Sequence, residues 1–126
     1  MTDTCAGSAY RALVSTRQRG KEAERRAVWW YRLRGYRILA TNTWVDGHEL
    51  DLVARRGRRL VFCEVKEKRG ERFGDPLEMV DGEKRRRLRH AAEGWLARHP
   101  DAAGLDVSFD VVAVRDGRLQ RLGQAF

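Results

Sequence analysis

Residues that build disulfide-bonded or zinc-stabilised domains are scarce in this sequence. The 126-residue chain has two cysteines, Cys5 and Cys63, and three histidines. No metal-ligand spacing joins either cysteine to a histidine, and two cysteines do not indicate a disulfide scaffold. Cys63 has the setting of a small core residue. A reducing cytoplasm is therefore the expected location.

Long hydrophobic runs are also absent. No apolar segment is long enough to cross a membrane, and the N-terminus lacks the charged start and hydrophobic stretch of a secretory signal. We therefore expect neither membrane association nor secretion. Residues 1–15 are small, polar and weakly patterned, and we expect a disordered tail or a short extra helical turn there. Residues 16–126 are expected to form a single domain, long enough to bury a core.

Negative charge is in the minority. The chain has 26 lysines and arginines against 18 acids, a formal charge of +8 and an isoelectric point near 10.3. This balance favours polyanionic partners over acid-binding or neutral ones. Basicity alone would suit a structural RNA-associated protein equally well. The positions of the acids therefore decide between these classes.

Two segments alternate in the manner of neighbouring strands, residues 49–54 and residues 61–66. Between them lies Arg56-Gly57-Arg58-Arg59, which is a signal for a tight hairpin. One face of the predicted hairpin carries aliphatic residues. The other face carries three acids and a lysine: Glu49, Asp51, Glu64 and Lys66.

The predicted hairpin has two possible registers. With a Gly57-Arg58 loop, as a type II′ turn prefers, Asp51 lies opposite Glu64 and Glu49 lies opposite Lys66. With an Arg56-Gly57 loop, Asp51 lies opposite Phe62 and diagonal to Glu64. Both registers keep the acids and the lysine on one face, because a two-residue loop preserves the alternation.

Asp51 and Glu64 would be like charges across two strands, which destabilise a sheet because their Cβ atoms are only about 5 Å apart. Mg²⁺ resolves this conflict, since it accepts one or two carboxylates, keeps several waters and takes further ligands from substrate phosphate. Lys66 would then orient or deprotonate the attacking water, or hold a phosphate oxygen. The alternative is a solvated face with Glu49–Lys66 and Glu64–Lys66 ion pairs.

Asp51 followed by Glu64-x-Lys66 on the next strand is similar to the Asp…Glu-x-Lys signature of restriction-endonuclease-like nucleases. From Gly20 onward the chain resembles the YraN-like bacterial family, which is related in pattern to archaeal Holliday-junction resolvases. The further motifs of this resemblance are Gly20-x-x-x-Glu24, Gly35-Tyr36-Arg37-Ile38-Leu39, Gly47-x-Glu49-Leu50-Asp51-Leu52-Val53, Arg72-Phe73-Gly74-x-Pro76, Arg87-Leu88 and Phe109-Asp110-Val111-Val112. His48, Glu67 and Ser108 depart from the family pattern, and none of them removes a presumed ligand.

The resemblance implies an α/β, restriction-endonuclease-like fold of the PD-(D/E)xK type, with a mixed β-sheet flanked by helices. It implies hydrolysis of phosphodiester bonds with Mg²⁺ or Mn²⁺ as cofactor. Asp51, Glu64 and the Val65 carbonyl would hold the metal. Lys66 would position or activate water, and Glu24 would bind a second metal or orient solvent.

A first helix is predicted from Lys21 to Arg34, ended by Gly35. Its buried stripe is predicted to be Ala23, Ala27, Trp30 and Leu33. Glu24 lies beside this stripe, where it is placed to reach the polar face of the sheet. The alternative for Glu24 is an exposed acid paired with a nearby arginine.

A second, amphipathic helix is predicted from Glu83 to Arg98. Its predicted buried residues are Leu88, Ala91, Ala92, Trp95 and Leu96. Cations crowd its start, at Lys84, Arg85, Arg86, Arg87 and Arg89, although the helix dipole favours negative charge there. Nucleic-acid phosphate would resolve this conflict, and a solvated basic face is the alternative. Arg69 and Arg72, in the loop before the helix, are further candidate phosphate contacts, and Lys84 matches a family lysine.

The remaining strands are predicted at Tyr36 to Thr43, Leu105 to Val114 and Leu119 to Leu122, with a turn at Asp116-Gly117. The expected order is helix, three strands, helix, two strands. The expected function is a nuclease whose partner is nucleic acid, DNA more than RNA. A non-catalytic binding or adaptor protein with the same fold is the rival. A homodimer is expected if the chain acts on four-way junctions, which resolvases cut with two active sites.

Overall fold

The computed structural model describes residues 21–67 and 82–126 of the chain. Two predictions concern positions outside the described residues: the tail of residues 1–15, and the phosphate contacts of Arg69 and Arg72.

The described elements follow the predicted order of helix, three strands, helix, two strands. The first helix, α1, covers residues 21–33. The strands and second helix are β1 (Arg37–Val45), β2 (His48–Arg56), β3 (Arg59–Glu67), α2 (Gly82–Ala97), β4 (Asp106–Arg115) and β5 (Arg118–Leu122), with a short 3-10 helix at Pro100–Ala102 before β4. Neither helix in these ranges is long and apolar enough to cross a lipid bilayer.

The five strands form one mixed sheet in the order β1-β2-β3-β4-β5. Three pairs are antiparallel, namely β1 with β2, β2 with β3, and β4 with β5. The remaining pair, β3 with β4, is parallel. A parallel pair requires a crossover connection, and α2 lies within that connection. The predicted α/β architecture, a mixed sheet flanked by helices, is confirmed.

Two-residue turns close all three antiparallel pairs. Asp46 and Gly47 have φ values of 51° and 83°, and Asp116 and Gly117 have 50° and 79°. Positive φ at both positions is typical of the type I′ turn, whose twist matches that of the strands. The turn predicted at Asp116-Gly117 is therefore confirmed. Gly57, the first residue of the β2–β3 turn, has a φ of 60°.

The sheet separates two apolar layers. Val61 and Cys63 of β3 pack in the cluster that contains the buried residues of α1. Leu60 and Phe62 pack in the cluster that contains the buried residues of α2. Successive side chains of a strand point to opposite faces, so the two helices cover opposite faces of the sheet. Cys63 is buried, as predicted for a core residue.

Helix α1 buries a different stripe from the predicted one. Ala23, Ala27 and Tyr31 are buried, whereas Leu33 is 76% exposed, so the assignment of Leu33 to the core was wrong. Residues four apart lie on one face of a helix, and Tyr31 continues the series from Ala23 and Ala27. The helix ends as predicted at Gly35, which has a φ of 88°. The amide of Tyr36 donates to the Tyr31 carbonyl at 3.0 Å and that of Gly35 to the Arg32 carbonyl at 3.0 Å, the two bonds of a Schellman motif.

Asp110 explains why Tyr31 can be buried. This carboxylate in β4 has no exposed surface, and it accepts the Tyr31 hydroxyl at 2.5 Å. It also accepts hydrogen bonds from Arg121 Nε at 3.0 Å, the backbone amide of Gln124 at 3.1 Å and the Ser108 hydroxyl at 3.2 Å. Because a buried charge needs partners, these donors make Asp110 a structural junction between α1, β4 and the C-terminal residues.

Helix α2 packs as its pattern predicts, with Leu88, Ala91, Ala92 and Trp95 buried and Leu96 partly buried against them. Gly94 allows a close approach to the β1–β2 turn. A Cβ atom at this position would lie 2.7 Å from Val45 Cγ1, too close for carbon atoms. The end of the helix is tied to the same turn by Arg98, whose Nη2 donates to Asp46 Oδ1 at 2.8 Å.

Candidate active site

The register of the β2–β3 hairpin decides which acids meet. The paired residues run from Arg56–Arg59 at the turn to Leu52–Cys63. The loop is therefore Gly57-Arg58, the first of the two predicted registers. The cross-strand pairing ends at Leu52–Cys63, one residue before Asp51 and Glu64. At this step the Asp51 carboxylate accepts the backbone amide of Val65 at 2.9 Å.

The neighbouring strand is distorted at the same level. In β1 the pairs Thr41–Leu52 and Thr43–Leu50 place Asn42 opposite Asp51. Asn42 has a φ of 48°, a left-handed conformation that asparagine tolerates better than most residues. Its side-chain amide donates to Glu24 Oε1 on α1 at 3.3 Å. Asn42 thus connects the predicted helix acid to the strand beside Asp51.

The alternation of β2 also breaks at Asp51. Leu50 belongs to the cluster beneath α2, whereas Leu52 belongs to the cluster beneath α1. Residues two apart in a regular strand share a face. The irregularity sets Asp51 between the two faces, where it interacts with Glu64 as well as with Glu24.

Burial and mutual repulsion raise the pKa values of these acids. Burial, a hydrogen bond with Glu64 and the charge of Glu64 raise the pKa of Asp51 to about 7, against the opposing effects of the Val65 amide and Lys66. Burial, then the charge of Asp51 and a bond to it, raise the pKa of Glu49. Burial and the charges of Asp51 and Glu49 likewise raise the pKa of Glu24. Raised pKa values in a cluster of acids indicate a shortage of positive charge.

Lys66 is the cation nearest to Glu64 in the predicted hairpin. Its Nζ lies 3.9 Å from Glu64 Oε1, and both side chains are mostly buried. This is one of the two ion pairs expected of a solvated face, but it does not balance the acids. Glu49 and Asp51 remain acidic neighbours with pKa values raised in spite of the lysine.

A cleft of about 240 Å³ opens between this hairpin and α2. Its lining includes Glu49, Glu64 and Lys66 from the strands, and Lys84 and Arg87 from the helix. The remaining lining residues are Trp44, Gly47, His48 and Leu88. Trp44 and His48 were not predicted to line a site. The cleft therefore has two acids and Lys66 on the strand wall and two further cations on the helix wall.

The basic run at the start of α2 divides between two surfaces. Lys84 and Arg87 are three residues apart, so they share a face, and both line the cleft. Arg87 also bonds Glu83 at 2.6 Å. Arg85 lies over the Phe126 ring at 5.5 Å, and Arg86 is exposed. Among the described residues, the cleft lining includes neither Arg85 nor Arg86.

The carboxylates suit a hard cation that needs few protein ligands. Within residues 21–67 and 82–126, no group of three or more histidine, cysteine, aspartate or glutamate side chains is arranged to hold a metal ion. Asp51 and Glu64 supply two carboxylates in contact with each other. Mg²⁺ is commonly bound by one or two carboxylates and several waters. The donor set therefore fits Mg²⁺ or Mn²⁺ and does not fit a closed zinc site.

Comparison with known proteins places the chain in a family. Residues 23–114 match the model of the Uncharacterised protein family UPF0102. The chain belongs to this family. The match confirms the predicted YraN-like resemblance, and it includes Glu24, Asp51, Glu64 and Lys66.

Bacterial relatives match over most of the UPF0102 chain. A UPF0102 protein of Bartonella bacilliformis is 38% identical over 108 residues, which cover 86% of this chain and 87% of the relative. One from Methylorubrum extorquens is 41% identical, covering 85% and 82%, and one from Azorhizobium caulinodans is 43% identical, covering 86% and 82%. The similarity therefore spans the fold as a whole.

Proposed function

We propose that this UPF0102 chain is a metal-dependent nuclease that hydrolyses phosphodiester bonds in DNA. The observation that supports this most strongly is that Asp51 is partly buried beside the Glu64 carboxyl group. Its burial and its interaction with Glu64 raise the pKa of Asp51 to about 7. A sheet gains nothing from such a pair unless a cation neutralises it.

The architecture supports a restriction-endonuclease-like identity, which is part of the proposal. The sheet is mixed, its parallel pair of β3 and β4 includes the central strand, and helices cover both faces. The proposed site lies where the pairing of β2 with β3 ends, on the strand that also pairs with β4. This is the position expected for the Asp…Glu-x-Lys signature of such nucleases.

Asp51, Glu64 and the Val65 carbonyl would hold Mg²⁺ or Mn²⁺, and Glu24 would bind a second ion or orient solvent. A bound divalent ion supplies stabilisation of negative charge on the phosphate and a lower pKa for water. The Val65 amide already fixes one Asp51 oxygen at 2.9 Å. Because a backbone amide holds this oxygen, the strands determine the orientation of the Asp51 carboxylate.

Lys66 has the role of orienting water or a phosphate oxygen. Its Nζ lies 3.9 Å from Glu64 Oε1, longer than a hydrogen bond, so the ammonium can turn to a substrate group without losing a tight partner. Its charge opposes the rise in the pKa of Asp51. Lys66 therefore favours the ionised form of Asp51.

Cations on α2 would take the substrate backbone. Lys84 and Arg87 line the cleft opposite Glu64, within reach of a phosphate held there. Further phosphates along the nucleic-acid strand are proposed to contact Arg69, Arg72, Arg85 and Arg86. Such contacts make binding strongly dependent on salt and read little base sequence.

A DNA-binding adaptor without turnover is the second candidate. It is favoured by the absence, within the described residues, of a group of three metal-ligating side chains. An adaptor would bind DNA through Lys84 and Arg87 with no need for a divalent ion. It leaves the contact between Asp51 and Glu64 without a purpose.

Cleavage assays with matched variants separate the two candidates. Branched and single-stranded DNA and RNA are incubated with the protein in Mn²⁺, and Glu64→Gln is compared with Glu93→Gln, the same change at an exposed position of α2. The nuclease proposal expects cleavage by the wild type and by Glu93→Gln, and its loss in Glu64→Gln. Equal DNA binding with and without EDTA, and no cleavage of any substrate, would establish the adaptor.

A further inference from the structure

The outer surface of α1 carries exposed aromatic and aliphatic side chains. Trp29 is 52% exposed and Leu33 is 76% exposed. Together with Trp30 and Leu119 they border a groove of about 440 Å³. A second cavity, of about 730 Å³ at the β4–β5 turn, also has Leu119 in its lining. Both cavities therefore border Leu119, and together we call them the α1 groove.

The α1 groove is strongly cationic. Among the described residues its combined lining holds five arginines and two carboxylates. The arginines are Arg25, Arg26, Arg34, Arg115 and Arg118. Each carboxylate is already matched, Glu22 with Arg26 at 3.4 Å and Asp116 with Arg115 at 3.8 Å. The excess positive charge suits a polyanion.

Guanidinium groups already order the aromatic part of the surface. Arg34 lies over the Trp30 ring at 3.8 Å, and Arg121 lies over it at 4.8 Å. Arg32 lies more loosely over Trp29, at 5.5 Å. Trp30 is therefore covered, whereas half of the surface of Trp29 is open to a further planar group.

We propose that this α1 groove binds single-stranded DNA, with phosphates on the arginines and an unpaired base stacked on Trp29. Proteins that hold single strands combine a basic groove with aromatic rings that stack on bases. The inference rests on the proposed function, which it deepens by naming an unpaired strand as substrate. The single strand is taken to be DNA because the proposed function is the hydrolysis of DNA.

The groove is separate from the basic residues of the cleft. Lys84 and Arg87 belong to α2, which covers the other face of the sheet. Helix α1 also carries Glu24, which interacts with Asp51. A strand held along α1 would therefore lie on the helix that also reaches the proposed site.

Binding is measured in EDTA, so that hydrolysis plays no part. A labelled oligo(dT) is titrated with wild type, Trp29→Ala and Trp29→Phe, and the fluorescence anisotropy of the label is recorded. Loss of one stacked base is expected to weaken binding by about tenfold or more in Trp29→Ala, while the aromatic Trp29→Phe retains most of the affinity. Arg25→Ala should lower the salt dependence by about one phosphate contact. Thermal unfolding checks that each variant is folded.

Val107→Ala is the control, because Val107 is an exposed apolar residue on β4 outside the groove lining; it should bind oligo(dT) as wild type does. Weaker binding by Trp29→Ala alone supports the inference even if no substrate is ever cleaved. Unchanged binding by Trp29→Ala overturns it even if the protein cleaves DNA through Glu64. Tighter binding of oligo(U), equal competition by polyglutamate, or a self-associated state that Trp29→Ala disperses would each overturn it in favour of RNA, an acidic protein segment or a second copy.

Discussion

The two ends of the β2–β3 hairpin follow opposite physical rules. At the turn end, five cross-strand pairs are regular, and Leu60, Val61 and Phe62 have no exposed surface. At the open end, Asp51 and Glu64 meet, and the pKa of Asp51 is raised to about 7. One end contributes stability, and the other gives up stability to assemble acids. This contrast supports the proposal that the open end is a catalytic site.

Substitution at the turn end should have the largest effect. Phe62 has no exposed surface and packs against Trp95 and Phe109, with ring centroids 5.7 and 5.8 Å away. Phe62→Ala should lower the free energy of unfolding by about 3–5 kcal/mol. Urea denaturation measures this. A loss below about 1 kcal/mol would show that the turn end is not the stable half of the hairpin.

Substitution at the open end should raise the free energy of unfolding instead of lowering it. The pKa of an aspartate is about 3.9 in an unfolded chain, and that of Asp51 is raised to about 7. Between these values the folded state binds more protons than the unfolded state, so stability falls as pH rises from about 4 to about 7. Asp51→Asn cannot ionise, so above the folded pKa it should be more stable than wild type by up to a few kcal/mol.

Denaturant titrations of Asp51→Asn and wild type across this pH range test the sign. The advantage of the variant should disappear as pH falls below the unfolded pKa, because both proteins are then uncharged at this position. A variant that is less stable than wild type at alkaline pH would mean that Asp51 has native partners which outweigh its burial and its repulsion from Glu64.

The contact that holds α2 near the open end can be broken separately. Gly94→Ala would place a methyl group 2.7 Å from Val45 Cγ1, and overpacking of this kind costs about 1–3 kcal/mol. Because α2 carries Lys84 and Arg87, we also expect weaker DNA binding. Ala97→Gly, a helix change without this approach, controls for propensity. Wild-type stability in Gly94→Ala, measured by thermal unfolding, would contradict the close approach.

Asn42 offers a finer test of the distortion beside Asp51. Its φ of 48° costs most side chains about 1–2 kcal/mol, whereas glycine adopts it freely. Asn42→Ala should therefore be less stable than Asn42→Gly by about 1 kcal/mol. Both variants lose the bond to Glu24, so their difference in denaturation midpoint isolates the backbone. Equal stabilities would place Asn42 in an ordinary strand conformation.

The cations of the cleft should give the smallest change in stability. Lys84→Ala and Arg87→Ala remove exposed side chains, so unfolding free energies should shift by less than about 0.5 kcal/mol. Each should reduce the salt slope of DNA binding by about one. Arg86→Ala, which changes an exposed residue outside the cleft lining, should reduce the slope less. Equal slopes for all three would remove the distinction between the two surfaces of α2.

The sequence predicted what short-range patterns determine. The hairpin and a turn at Gly57 were predicted, whereas the choice between the two predicted registers required the structure, in which Leu52 pairs with Cys63. The stripe of α1 was less predictable, because Tyr31 can be buried only through its bond to Asp110, 79 residues away. Asn42 carries no pattern signal, since its left-handed φ occurs inside β1, between the paired residues Thr41 and Thr43. The division of the α2 cations depends on which helix face meets the hairpin, and that depends on the contact at Gly94.

Mn²⁺ binding measured by calorimetry at slightly alkaline pH tests the central claim, that Asp51 and Glu64 are brought together to share a divalent cation. We expect a binding isotherm with wild type and Glu93→Gln, and its loss in Glu64→Gln. Absence of binding by wild type, or equal binding by Glu64→Gln, would contradict the account.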